Sequence, residues 1–322
     1  MSRGPLPRYD ELPALSVGAS GTRSTWGLFG ADDEAGTINL LQPDLVRRAT
    51  SLVRWGTVFS LDRPLTRPDP PLAGQRAYRH VVQDLGSGTD DYLDDFHPRR
   101  SSHWNALRQA GHPEHGYYNG LSLDDATGLG VPRLGIDRWA RRGIVGRYVL
   151  IDVDRHRAAI GERSQADEAV AIGVDELDEA LLRQGTAIEH GDVLLLRSGW
   201  TTWYEGLTAA ERASVADEDQ LAVMGLSPEE ATLEWLWDHR IAAVVSDAPT
   251  VEATPPGRPV PGSATLACQL ASLLGMATGG LFMLDELADD CVVDAVYDGL
   301  FVAAPLHVPG GSGSPANAIA IK

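Results

Sequence analysis

Three nearly continuous apolar runs stand out along the chain, at residues 143–153, 191–200 and 241–247. Runs without polar alternation predict strands buried on both faces, as in a sheet covered by helices. Asp247 closes the third run. Between and after these runs the apolar spacing changes to that of helices. Residues 175–185 predict a helix with acids in the first turn and Gly185 at the left-handed C-terminal position. Ser227, Pro228, Glu229 and Glu230 read as a capping box with Pro at the first helical position, opening a helix from Ala231 to Arg240. Leu266, Leu270, Leu273 and Leu274 share one face of a further helix, which Gly275 ends. Residues 297–304 predict another strand, and the glycine-rich turn 309–317 leads into a final short apolar strand.

The first half of the chain is looser. Residues 1–25, rich in Pro, Gly, Ser and Arg, predict an extended arm that is ordered only by packing on something. Residues 42–49 predict a short helix with Pro43 near its first turn, 57–61 alternate as a strand, and 78–82 predict a second strand. The Pro-rich segment 63–74 excludes regular structure. Asp90, Asp91, Asp94 and Asp95 read as a solvated turn, since like charges this dense stay in water. Strands and helices alternate in the second half. The expected architecture is therefore an arm over residues 1–25 and one α/β domain over 26–322, with a mixed sheet and long N-terminal loops.

Composition narrows the function. The 322 residues carry a formal net charge of −18, which disfavours nucleic acid as a partner. No Lys/Arg cluster suits a membrane surface, and no apolar run approaches the roughly 18 residues that span a bilayer. Cys268 and Cys291 are isolated in apolar surroundings, as expected of reduced thiols. With no apolar leader at the N-terminus, a cytoplasmic location is expected.

The densest chemistry lies between Ser101 and Gly120. His103, Trp104, Asn105, Arg108, Gln109, Tyr117, Tyr118 and Asn119 fall within twenty residues there, just after His97, Arg99 and Arg100. Placed donors and acceptors beside aromatics are what a small-molecule pocket requires; a polar surface loop with a buried Trp is the plainer alternative. His112 and His115 have a plausible metal spacing, but Gly111, Pro113 and Gly116 around them indicate a surface loop. Asp247 and Glu252 follow a buried strand and are candidates for an acid/base pair or for ordering a loop.

Several segments together resemble the cyclase family that includes bacterial kynurenine formamidase and isatin hydrolase. They are Trp26 to Gly30 with Gly36 to Asn39, Gly143 to Arg147, Gly191 to Trp200, Ser246-Asp247, and Pro309 to Asn317. The resemblance implies a swivelling β/β/α type fold and a homodimer or homotetramer. It also implies a metal motif, H-x-G-T-H-x-D-x-P-x-H with a later His and Glu, that holds zinc or manganese for amide or lactam hydrolysis. In this chain the first His position is Arg99, the second is His103, the Asp position is Asn105 and the last His position is Gln109. Spacing puts the later His at about Ala267 and the Glu at about Gly280. Neutral amides, a guanidinium and side chains without donors make a poor cation site, so neither metal nor cofactor is expected.

Two classes of function follow. One is a metal-independent cyclase or lyase-type enzyme acting by acid/base chemistry on a small carbonyl-containing metabolite, such as a polyketide or other natural-product intermediate. His103 is then the acid or base, and Arg99, with Arg100 or Arg108, stabilises an oxyanion. Asn105 and Gln109 orient the substrate, while Trp104, Tyr117, Tyr118, Asn119, His97, Trp26 and Phe29 line the pocket. The other is a relative that binds a small molecule without catalysis. A metal-dependent amide or lactam hydrolase is the further alternative.

Overall fold

The three apolar runs form the centre of one large mixed sheet. The computed structural model describes residues 6–15, 21–128, 132–217, 219–255, 257 and 263–322. In chain order the strands are β1 Val58–Ser60, β2 Arg79–Asp84, β3 Thr89–Asp94, β4 His103–Asn105, β5 Ile144–Asp152, β6 Ala171–Ile172, β7 Val193–Arg197, β8 Gly225–Leu226, β9 Ala243–Ser246, β10 Ala277–Gly280, β11 Asp298–Ala303, β12 Gly313–Pro315 and β13 Ala318–Ile321. Nine of them join in the order β1-β13-β11-β5-β7-β9-β10-β4-β12. The middle four, β5, β7, β9 and β10, run parallel, and the strands to either side pair antiparallel. Every residue of β7 and β9 is buried, which is why these segments are apolar up to their last residues, Arg197 and Ser246, rather than alternating.

Helices Val174–Gln184 and Glu230–Asp238 join the same core, through Leu177, Ala180 and Leu181 from the first and Leu233, Trp235, Leu236 and Trp237 from the second. Gly185 takes the left-handed C-cap (φ 66°), as its position predicts. The capping box expected at Ser227 is absent. The helix starts at Glu230 behind Glu229, whose side chain makes no cap bond, and the Ser227 carbonyl instead accepts the Thr232 hydroxyl (2.7 Å). Trp200, expected at a strand end, opens the helix Trp200–Gly206. The Leu-rich helix is shorter than its apolar face suggests, spanning Leu266–Ser272, with Gly275 (φ 63°) beyond it.

Of the arm, Tyr9 and Leu12 are buried in the core. The Trp237 indole N–H donates to Pro7 O (3.0 Å) and the Tyr9 N–H donates to Asp238 (2.7 Å), so helix Glu230–Asp238 holds the arm in place. The acidic cluster is a strand rather than a turn. Asp90, Asp91 and Asp94 lie in β3, which pairs only with β2 and is exposed along its whole length. The solvation argument thus holds for these acids, but strand pairing orders them.

Candidate functional site

The short strand β4 carries the site. It lies antiparallel between β10 and β12, with His103 opposite Gly280 and Pro315, Trp104 opposite Gly279 and Ser314, and Asn105 opposite Thr278 and Gly313. Alternation along a strand sends successive side chains to opposite faces. Trp104 goes to the core, fully buried, with its ring edge-on to Trp139 (6.4 Å), Phe282 (5.4 Å) and Phe301 (6.1 Å). Its indole N–H donates to Ala316 O (3.0 Å). Trp104 is therefore the anchor that fixes β4, not a wall of the pocket. His103 and Asn105 share the other face. Because His103 pairs with Gly280, the last residue of β10, it sits at the C-terminal edge of the parallel strands, where open α/β sheets place their ligands.

His103 is buried, and its Nδ1 lies 2.8 Å from Ser101 O. A carbonyl only accepts, so Nδ1 carries the proton and Nε2 of the neutral ring keeps its lone pair. Burial, followed by the charge of Arg99, drives the His103 pKa down to about 4, and the Ser101 bond only partly offsets them. The ring is therefore neutral at physiological pH.

Arg99 lies beside it. Its Nη1 donates to Asn105 Oδ1 (3.1 Å), and burial lowers its pKa. Gly313 makes room for it, because a Cβ there would stand 2.6 Å from Arg99 Cγ and Cδ. No carboxylate pairs with Arg99 among the described residues. The contrast with its neighbours is informative. Arg63 reaches Glu205 (2.7 Å), and Arg197 reaches Asp152 (2.9 Å), Asp154 (3.3 Å) and Asp285 (2.8 Å). These two guanidiniums are buried and paired, whereas that of Arg99 borders a cleft of about 260 Å³ lined by Gln75, His97, Pro98, Val308 and Gly311 to Gly313. His97 Nε2 also has no hydrogen-bond partner there and stands 3.5 Å from Asp95.

The other expected residues lie elsewhere. The side chain of Gln109 makes no hydrogen bond to Arg99, His103 or Asn105 among the described residues; its N–H closes a turn onto Ala106 O (2.8 Å). Arg100 is consumed by Leu65 O (2.5 Å) and Pro68 O (3.3 Å) of the Pro-rich segment, and Arg108 donates to Gly310 O. Tyr118 is fully buried, with its hydroxyl on Asp33 (3.2 Å), and Asn119 clasps Gly30 O (3.2 Å), Asp33 O (2.9 Å) and the Gly27 N–H (2.9 Å). The Trp26 indole bonds Ser272 O (2.7 Å), Phe29 packs edge-on to Trp237 (6.5 Å), and Tyr117 lies against Gly111. This group ties the 26–39 loop to helix Leu266–Ser272 and does not border the Arg99 cleft. Asp247 is spent on the Ser198 N–H (2.7 Å) and hydroxyl (2.9 Å), with its pKa raised by burial to about 6. Glu252 accepts the Leu266 N–H (2.5 Å) at the start of its helix, and burial raises its pKa. Both acids order loops. Sequence reading missed the charged row Asp152, Arg197 and Asp285, because only the strand order reveals that these distant residues meet.

The donor set does not fit a divalent cation. Arg99, His103 and Asn105 offer one imidazole, one neutral amide and a fixed positive charge. At Gly280, directly across from His103, even a Cβ would stand 2.4 Å from Pro249 O, so no acidic side chain could be housed there. No group of three or more His, Cys, Asp or Glu able to hold a metal occurs among the described residues, and the His112 and His115 rings, with centroids 4.5 Å apart, lack a third ligand. A smaller hollow of about 110 Å³ lies at the opposite end of the parallel strands, against Arg48, Arg147, Glu189 and Asp192. Its cations are already paired, Arg147 with Asp192 (2.6 Å) and Asp298 (2.9 Å) and Arg48 with Glu189, so it offers no free charge to a ligand.

The Cyclase family model matches residues 77–253, more than half of the chain and including β4. A solved structure of a novel cyclase superposes with a TM-score of 0.81 at 28% identity, over 93% of this chain and 97% of the other. An isatin hydrolase bound to the product analogue thioisatinate superposes with a TM-score of 0.58 at 18% identity, over 82% and 92% of the two chains. Isatin hydrolase A from Labrenzia aggregata gives 0.58 at 17% identity, over 85% and 95%. At these identities the two hydrolases speak for the fold alone. No curated protein sequence matches. The family match over residues 77–253 and the shared α/β fold place this chain, as an enzyme, in the Cyclase family.

Proposed function

We propose that this cyclase-family enzyme works without a metal, moving protons on a small carbonyl-containing metabolite. The observation that supports this reading most is the placement of a neutral His103 beside an Arg99 guanidinium that has no carboxylate partner among the described residues. In the proposed reaction the His103 Nε2 lone pair takes a proton from the carbon next to a carbonyl. The C–H electron pair moves into the carbonyl and forms an enolate oxygen. Arg99 lowers the energy of that negative charge, and Asn105 aligns the guanidinium. The enolate carbon then attacks a second carbonyl to close a ring, the imidazolium returning its proton to the alkoxide so formed, or the enolate expels a β-hydroxyl, which leaves as water with that same proton. Hydrolysis is less well served, because nothing in the site lowers the pKa of a water molecule. The natural substrate is proposed to be a biosynthetic intermediate such as a polyketide-like compound. Among the described residues no helix is long and apolar enough to cross a membrane; a cytoplasmic location and a homodimeric or homotetrameric state are part of the same proposal.

The test is deuterium wash-in from D2O, followed by NMR on a panel of small oxo compounds with chelator present. The expectation is exchange next to the carbonyl by the wild-type chain, reduced about 100-fold or more in His103→Asn. Exchange that appears only after adding zinc or manganese, or that is equal in the variant, would overturn the proposal.

A further inference from the structure

We infer that the Arg99 cleft is a carboxylate site, so that the substrate enters as a small organic acid carrying its carboxylate beside the reacting carbonyl. The inference rests on the acid/base reading above and adds the chemical class of the substrate.

A guanidinium drawn partly out of water costs free energy unless an anion faces it. Arg63 and Arg197 meet that requirement with carboxylates of the chain itself. Among the described residues Arg99 has only the neutral oxygen of Asn105, which occupies a single Nη1 donor and leaves the rest of the planar fork available. The acids nearest in sequence pair with other groups: Asp94 lies 2.8 Å from Arg79, and Asp95 lies 3.7 Å from Arg76 and 3.5 Å from His97. A full positive charge held open in the resting state complements a ligand that is already an anion when it binds, and the same guanidinium then also faces the enolate oxygen that forms beside that carboxylate.

The surroundings agree. Besides Arg99 the cleft is lined by Val308, Gly311, the exposed Ser312, Gly313, Gln75 and His97. His97 Nε2 makes no hydrogen bond among the described residues but already stands 3.5 Å from the Asp95 carboxylate, so Arg99 is the group left to meet an anion. The volume of about 260 Å³ is at the small end for ligand pockets and suits a compact acid. The chain as a whole carries a net charge of −18 and repels anions, so attracting one takes a cation kept free of internal pairing.

The experiment is calorimetric titration of the full, chelator-treated chain with pyruvate, with its uncharged methyl ester and with inorganic phosphate. Saturable binding of pyruvate but not of the ester is expected. Arg99→Gln should weaken it about 10-fold or more, and Arg99→Lys should fall between, because the planar fork is lost while the charge stays. Circular dichroism confirms that each variant is folded. Absence of pyruvate binding, equal binding of the ester, or unchanged binding in Arg99→Gln would overturn the inference, and so would phosphate binding more tightly than pyruvate. His103→Asn separates the two proposals. Pyruvate binding retained there while wild-type deuterium exchange is absent refutes the acid/base reading alone, whereas exchange without pyruvate binding refutes the carboxylate site alone.

Discussion

Replacing His103 with Asn should remove a specific acid sensitivity from the fold. Asn retains an N–H that can donate to Ser101 O, but it does not titrate. In the wild-type chain burial and Arg99 hold the His103 pKa at about 4, against 6.5 for a free side chain. Between these values the unfolded chain binds a proton that the folded chain refuses. Stability therefore falls as pH drops below 6.5, and the loss is complete below about 4. The full gap is worth about 3 kcal/mol, and about 2–3 kcal/mol is already lost at about pH 4.5. Asp192 and Asp247, whose folded pKa values are raised to about 7 and about 6, act in the opposite direction, losing stability as pH rises toward those values. Their contribution is common to both proteins and cancels in the difference. Urea unfolding followed by tryptophan fluorescence at about pH 7.5 and about pH 4.5 measures the effect. The wild type should lose about 2–3 kcal/mol more than His103→Asn on acidification. Profiles that run parallel within about 0.5 kcal/mol would refute the placement of a neutral, desolvated imidazole beside Arg99.

Further consequences follow from the same geometry. In Arg99→Gln the His103 pKa should rise toward its ordinary value, read as a shifted NMR titration of the imidazole, because the second-largest cause of its depression is gone. Trp104→Ala should cost about 3–5 kcal/mol in urea unfolding, as it empties the space between Trp139, Phe282 and Phe301. Gly36→Ala should destabilise the chain by several kcal/mol or prevent folding, seen as a lowered Tm, since Gly36 has φ 61° and its Cβ would fall 1.8 Å from Gly275 O.

How far the fold could be read from the chain depended on burial. Strands β5, β7 and β9 lie at the centre of the sheet and are almost wholly buried, so apolar residues dominate them and the segments stand out despite Arg147, Asp152, Arg197 and Ser246. Strand β10 is equally buried but reads Ala-Thr-Gly-Gly, because Gly279 and Gly280 must admit the His103 and Pro249 backbones, and a glycine pair carries no strand signal. Strand β4 has only three residues, and its pairing with β10 and β12 joins segments roughly 170 and 210 residues away, which no local pattern encodes. In the site, Arg99, His103 and Asn105 were legible as a set because they are close in sequence and share one stretch of chain. The aromatic and polar residues after Gly111 looked equally suited to a pocket, yet Tyr118, Asn119 and Trp26 serve the backbone of neighbouring loops. Composition alone cannot separate a hydrogen bond made to a ligand from one made to the fold.

The central claim is that Arg99 and His103 do their chemistry where no divalent cation can bind. Metal content by mass spectrometry, on the chain loaded with zinc or manganese and then desalted, addresses it directly. The account predicts metal far below stoichiometric and unchanged by His103→Asn. One metal ion retained per chain, and lost in that variant, would contradict it.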